Sequence, residues 1–104
     1  MSFTYLLHTE KNAVNVKLNG MLMEKTEAES MMREADKLIE AGNINFILDL
    51  SGLEYINSSG LGVFISLLTR ARKKGGEVTI TQISKKVKEL FIITKLNSLF
   101  GMKD

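Results

Sequence analysis

The sequence predicts an α/β fold: a small mixed, mostly parallel sheet of about four strands with helices packed against it, in the order β-β-α-β-α-β-α. Three observations lead there. From residue 26 onward, segments with helical and strand periodicity alternate, which requires crossover connections and parallel pairing. Before it, two strand-like segments flank a two-residue polar turn, the pattern of an antiparallel hairpin. Proline is absent, and no repeat, low-complexity tract or linker interrupts the 104 residues. One domain spanning residues 1–104 is therefore expected.

The elements follow in order. Phe3 to Thr9 is rich in aromatic and apolar residues and reads as a strand. Ala13 to Leu18 alternates, with Val14, Val16 and Leu18 on one side and Asn15 and Lys17 on the other, the period of a half-buried strand. Lys11-Asn12 is the turn between them. Leu18-Asn19-Gly20 reads as the next turn, which leaves Met21 and Met23 in a loop before the first helix. That helix is expected to begin at Thr26, because Thr26 and Glu29 have capping-box spacing. Ala28, Met31, Met32, Ala35, Leu38 and Ile39 form its apolar face, and Gly42 ends it in the left-handed conformation.

Ile44 to Leu50 is a short apolar run of the kind covered on both faces in a parallel sheet. A surface loop is expected after it. The second helix then runs from about Ser59 to Lys74, with Leu61, Phe64, Ile65 and Leu68 as its stripe. Arg70, Arg72, Lys73 and Lys74 crowd its last turn, where the helix dipole favours cations. Gly75-Gly76 stops it. Glu77 to Thr81 is a strand. Ser84 caps a third helix that buries Val87, Leu90 and Phe91. Beyond Leu96 the pattern weakens, with Leu99 and Phe100 available to the core.

Composition excludes several function classes. Without cysteine there is no disulfide, Cys-ligated zinc or thiol nucleophile. No basic segment followed by an apolar stretch opens the chain, and no run approaches the roughly 18 apolar residues of a membrane span. The cytoplasm is the expected compartment, with no membrane partner. Residues 1–69 hold five basic and nine acidic side chains; residues 70–104 hold nine and three. Such polarity steers charged partners. The basic residues are not interleaved with aromatics and no nucleic-acid motif is present, so direct nucleic-acid binding is not expected.

The stretch Asp49 to Gly62 is where a strand gives way to a helix, the usual functional edge of α/β sheets. Asn57, Ser58 and Ser59 offer more capping groups than one helix start needs. Gly60 and Gly62 sit in the first turn, where each costs up to about 1 kcal/mol relative to alanine. Glycines there let another molecule, or the sheet itself, approach the backbone. A helix N-terminus also tolerates an anion. Other residues carry less. His8 is the only histidine and stands on a strand without metal-ligating neighbours. Asp49 and Glu54 lack a positioned partner for acid-base work, and Asp49 is expected to brace the loop. Gly60-Leu61-Gly62 lacks the full dinucleotide pattern and the P-loop lysine. No nucleophile, base and orienting group can be named together, so neither an enzyme nor a cofactor is expected. Met31 and Met32 read as core, while Met21 and Met23 suit an adaptable interface.

In this setting Ile56-Asn57-Ser58-Ser59-Gly60-Leu61-Gly62 resembles the STAS domain of anti-sigma factor antagonists. The resemblance extends over the hairpin, Thr26-Glu27-Ala28, Ile47-Leu48-Asp49-Leu50-Ser51, Lys74-Gly75-Gly76-Glu77 and Lys85-Lys86-Val87-Lys88-Glu89-Leu90-Phe91. It implies a partner-switching regulator. The unphosphorylated domain of that family binds an anti-sigma factor that is also a serine kinase, and so releases a sigma factor. Phosphorylation of a serine at the helix start ends the binding, and a PP2C-type phosphatase restores it. The resemblance places the phosphoacceptor at Ser59, with Ser58 as the alternative and as the expected N-cap. It places the partner contacts at Asn57, Ser58, Ser59, Gly60, Leu61 and Gly62, with Met21 and Met23 added from the loop reading. Asn57 departs from the acidic residue of many members. Many members also carry a further strand and a final helix, expected beyond Asp104. A non-switching interaction module in a regulatory assembly or in transporter regulation, and a small-anion or nucleotide sensor, are the alternatives that remain open, and a homodimer is open on either reading.

Overall fold

The computed structural model describes residues 2–103; Met1 and Asp104 lie outside them. Five strands form one sheet: β1 (Thr4–Thr9), β2 (Val14–Leu22), β3 (Asn45–Ile56), β4 (Glu77–Thr81) and β5 (Gly101–Lys103). The helices are α1 (Glu29–Glu40), α2 (Ser58–Lys73) and α3 (Lys85–Ile93). Spatial order equals chain order, with β1 antiparallel to β2 and every other pair parallel. The expected mixed, mostly parallel sheet is present. A short fifth strand, beyond the four expected, lies at Gly101–Lys103.

This order decides where the core sits. Each crossover steps one strand in the same direction, and right-handed crossovers then place all three helices on one face. Burial agrees. Val14, Val16 and Leu18 of β2, Phe46, Leu48 and Leu50 of β3, and Val78 and Ile80 of β4 are buried at alternate positions. They join Met31, Ala35 and Ile39 of α1 and Phe64, Leu67 and Leu68 of α2 in one cluster. Phe91 bridges Phe64 and Phe100, with ring centroids 6.0 and 5.9 Å away. Burying each such ring stabilises by about 1.5–3 kcal/mol. The expectation that Ile44–Leu50 is covered on both faces is corrected. Asn45 and Asp49, which interrupt that run, belong to the uncovered face.

Four further expectations change. β2 continues through Leu18-Asn19-Gly20 to Leu22, so Met21 lies in a strand and Met23 just beyond it. β3 continues through the expected surface loop to Ile56. It does so with two register shifts against β2, between Lys17 and Asn19 and between Gly20 and Met21. Each inserts an extra β3 residue and breaks the alternation that marks a strand. Asp49 braces the first: its Oδ1 accepts from the Ser51 N–H at 2.9 Å. Before α1, a 3₁₀ turn spans Lys25–Ala28, and the capping carboxylate is that of Glu27, not Glu29. Glu27 Oε1 accepts from the N–H groups of Met23 (3.0 Å) and Glu24 (2.9 Å), freed where β2 ends. On α2, Ile65 is exposed, and Leu67 takes its place in the buried stripe.

The stop and start signals hold. Gly42 and Gly75 have φ of +97° and +86° just after α1 and α2. Ser84 Oγ accepts from the Val87 N–H at 3.3 Å at the start of α3. Tyr5 ties β1 to α1 through its hydroxyl, which meets Ser30 (2.9 Å) and Glu34. Burial first, then the Glu34 carboxylate, hold its phenol above the usual value of 10.0.

Candidate functional site

The site forms where the ends of β2 and β3 meet the start of α2. Asn57 is the only residue between β3 and α2, and it is the N-cap. Its Oδ1 accepts from the Gly60 N–H at 2.9 Å, while its carbonyl takes the first helical bond from the Leu61 N–H at 2.9 Å. The expectation that Ser58 caps this helix is thereby corrected. Three capping residues in a row left the choice open, and the close approach of the helix to β2 settles it. A Cβ on Gly60 would lie 2.4 Å from the Leu22 carbonyl oxygen and 2.6 Å from Ile56 Cγ1. Gly60 is therefore a seat against the sheet, and the residue three before it becomes the cap.

This seating orients the rest. Ser58 and Ser59 occupy the first two helical positions, both exposed. Leu61 is buried in the core and Gly60 is covered, so neither side chain offers a contact; each acts by fixing the helix. Gly62 is half-buried, and a Cβ there would lie 3.3 Å from Lys25 Cε. Ser59, Val63, Ser66 and Arg70 follow one another at helical spacing. Val63, Ser66 and Arg70, with Lys25 and Gly62, line a groove between α1 and α2, and Ser59 lies one turn before Val63 on the same helix face. Ser58 and Asn57 instead line a second groove, between the end of β3 and α3, with Tyr55, Lys86, Leu90 and Ile93. The two neighbouring hydroxyls therefore open on different surfaces.

Met21 stands in register beside Tyr55 on β3. It is half-buried at the rim of the second groove's strand, as is Met23 one step further on. His8 lies apart, exposed on β1 opposite Asn15. Sequence reasoning did not single out Tyr55, Lys86 or Ile93. Two signals could have found them: three lysines in the first four residues of α3, and an Ile92-Ile93 pair exceeding the helix's one buried stripe. Among the described residues no group of His, Cys, Asp or Glu is placed to hold a metal, and no helix is long and apolar enough to cross a membrane.

Comparison with known proteins joins this geometry to a family. The sequence model of the STAS domain matches residues 6–104. The chain is 30% identical over 91 residues to BtrV of Bordetella bronchiseptica, provisionally named an anti-sigma factor antagonist, covering 81% of this chain and 78% of that protein. It is 34% identical over 53 residues to the anti-sigma-B factor antagonist of Bacillus subtilis, about half of each chain (51% and 49%). In fold it is similar to the Bacillus anti-sigma factor antagonist SpoIIAA. The unphosphorylated form superposes with a TM-score of 0.78 at 18% identity, over 97% of this chain and 88% of that one. The phosphorylated form superposes at 0.76 and 17%, over 97% and 92%. The match of the family model across almost the whole chain, with 30% identity to BtrV over most of both proteins, places this protein in the STAS domain family of anti-sigma factor antagonists.

Proposed function

We propose that this chain is a partner-switching antagonist whose binding to an anti-sigma factor is turned off by phosphorylation of Ser59. The observation that carries the reading is the placement of that hydroxyl. Ser59 is exposed at the second position of α2, on a helix start held by Asn57 and Gly60. A phosphoryl group there adds about −1.5 to −2 charges. The free N–H groups and dipole of the helix end accommodate an anion, so the fold survives and the surface changes sign. Ser58, one position earlier, is the alternative acceptor.

On this reading residues 1–104 form one STAS domain acting in the cytoplasm. It is not itself an enzyme and needs no cofactor, because the anti-sigma factor is the serine kinase and supplies base and metal. A PP2C-type phosphatase resets the switch. Asn57 favours a second reading, a constitutive interaction module. Its neutral amide caps the helix without the charge that an acidic residue would present to a kinase.

Phosphosite mapping by mass spectrometry on protein from growing and stressed cells tests the choice. The switch requires a phosphoryl group on Ser59 whose occupancy changes with conditions. A Ser59→Asp variant should stay folded and bind the anti-sigma factor at least about tenfold more weakly in a calorimetric titration. Unmodified Ser59 in all conditions, together with undiminished binding by the variant, leaves the constitutive module.

A further inference from the structure

We infer that Lys25 is a built-in counter-ion for a phosphoryl group on Ser59, tying the first turn of α2 to the 3₁₀ turn before α1, an inference that rests on the Ser59 reading above. Two glycines in that first turn have different surroundings. A Cβ on Gly60 would strike the Leu22 carbonyl and Ile56, so packing against the sheet requires glycine there. A Cβ on Gly62 would meet, beyond its own helix, only the end of one side chain within 4 Å: Lys25 Cε at 3.3 Å and Nζ at 3.8 Å. Gly62 nonetheless forgoes up to about 1 kcal/mol of helix propensity. What its bare backbone admits is the ammonium end of Lys25, laid against the start of α2. The turn that carries Lys25 is itself held, because Glu27 accepts from the Met23 and Glu24 N–H groups.

Charge points the same way. The α1–α2 groove is lined by three cations, Lys25, Arg33 and Arg70, and two carboxylates, Glu29 and Asp36. Arg70 pairs with Asp36 at 2.8 Å, and Arg33 approaches Glu29 at 3.9 Å. Among the described residues Lys25 is in no ion pair. This surplus cation stands at the Ser59 end of the groove: Gly62, against which it lies, is one turn from Ser59, whereas Arg70 is about three turns away. Helical residues three apart have Cβ atoms about 5–6 Å from one another, and each Cβ leans toward the helix N-terminus, from Gly62 toward Ser59. A phosphoryl group lengthens the serine by two bonds, and the last bonds of lysine rotate freely, so a phosphate oxygen and the ammonium can meet. Ser58 has no such counter-ion. It lines the other groove, where Lys86 lies over the Tyr55 ring and shares the lining with Glu54 and Glu89. The same modification is therefore held at Ser59 and left unanchored at Ser58.

The test uses chains in which phosphoserine is incorporated during synthesis at position 59 or at position 58, so that no kinase is needed, each with Lys25, Lys25→Gln or Lys25→Arg. Lys25 is exposed, and equal melting temperatures of the unphosphorylated chains confirm the fold. A phosphorus NMR titration reads the second ionisation of the phosphate, which lies at about 6 without a counter-ion. A cation beside it favours the dianion and lowers that pKa. At position 59, Lys25→Gln should raise it by about 0.5 of a unit, the size of an exposed ion pair. The difference should shrink between roughly 0.05 and 0.5 M salt. Lys25→Arg should keep the pKa low, and position 58 should not respond to either change. No shift at position 59, or an equal shift at position 58, overturns the counter-ion. Titrating the source organism's own anti-sigma factor with the same chains judges the underlying reading separately. If the chain phosphorylated at position 59 binds as well as the unmodified one, the switch falls, while a pKa shift still supports Lys25 as the counter-ion. If binding is lost and the pKa does not move with Lys25, the switch stands and the counter-ion falls.

Discussion

The two grooves that diverge from the start of α2 differ in how far the chain satisfies them itself. Between α1 and α2, one Arg70 nitrogen donates to both Asp36 carboxylate oxygens (2.9 and 2.8 Å), and Arg33 approaches Glu29 at 3.9 Å. Opposite charges meet within the groove, and its walls are already joined. Between β3 and α3, Tyr55 and Ile93 face water, and Lys86 stands over the Tyr55 ring on a lining it shares with Glu54 and Glu89. A surface matched by its own residues is a seam of the fold. A surface whose apolar side chains face water gains free energy when another molecule covers it.

Substitutions can break or sharpen this contrast. The largest effect on stability is expected where both grooves begin. Gly60→Ala forces a Cβ against the Leu22 carbonyl and Ile56, and should cost about 2–3 kcal/mol, read from urea midpoints. Gly62→Ala is its control. There the Cβ meets only the flexible end of Lys25, so stability should hold or rise by about 0.5 kcal/mol from helix propensity. Equal losses at the two glycines would show that the helix start is not seated through Gly60.

Next in size is Asn57→Ala, which removes the cap from the Gly60 N–H and should cost about 1 kcal/mol. If Ser58→Ala costs as much under the same denaturant titration, the capping assignment is wrong. The smallest effect belongs to the ionic seam. A double-mutant cycle of Asp36→Ala and Arg70→Ala should give a coupling of about 0.5 kcal/mol that fades in high salt, since both groups are about half exposed. A coupling several times larger would mean that the α1–α2 groove holds the fold more tightly than its exposure suggests.

Much of this was legible in the residues alone. Alternation at Val14, Val16 and Leu18 marked β2, and the glycines after α1 and α2 marked their ends. Ser84 marked the start of α3. The Ile56–Gly62 segment indicated the family before any geometry was known. What was missed shares one cause: it depends on contacts between residues distant in sequence. β3 was read short because its two bulges are defined only against β2. β5 has three residues, too few for a period, and exists only through its pairing with β4.

By itself, then, the sequence determined the order of the strands and helices as far as α3, the family and the candidate serine, because periodicity, caps and a local motif are properties of neighbouring residues. The tertiary structure alone decided three things. It put all the helices on one face of the sheet, since the direction of each strand step becomes visible only in the assembled sheet. It made Asn57 the cap, because the end of β2 leaves room for nothing larger than hydrogen at Gly60. It also brought Tyr55, Lys86 and Ile93 beside Asn57 and Ser58 at the start of α2, because strand and helix meet there across some thirty residues of intervening chain.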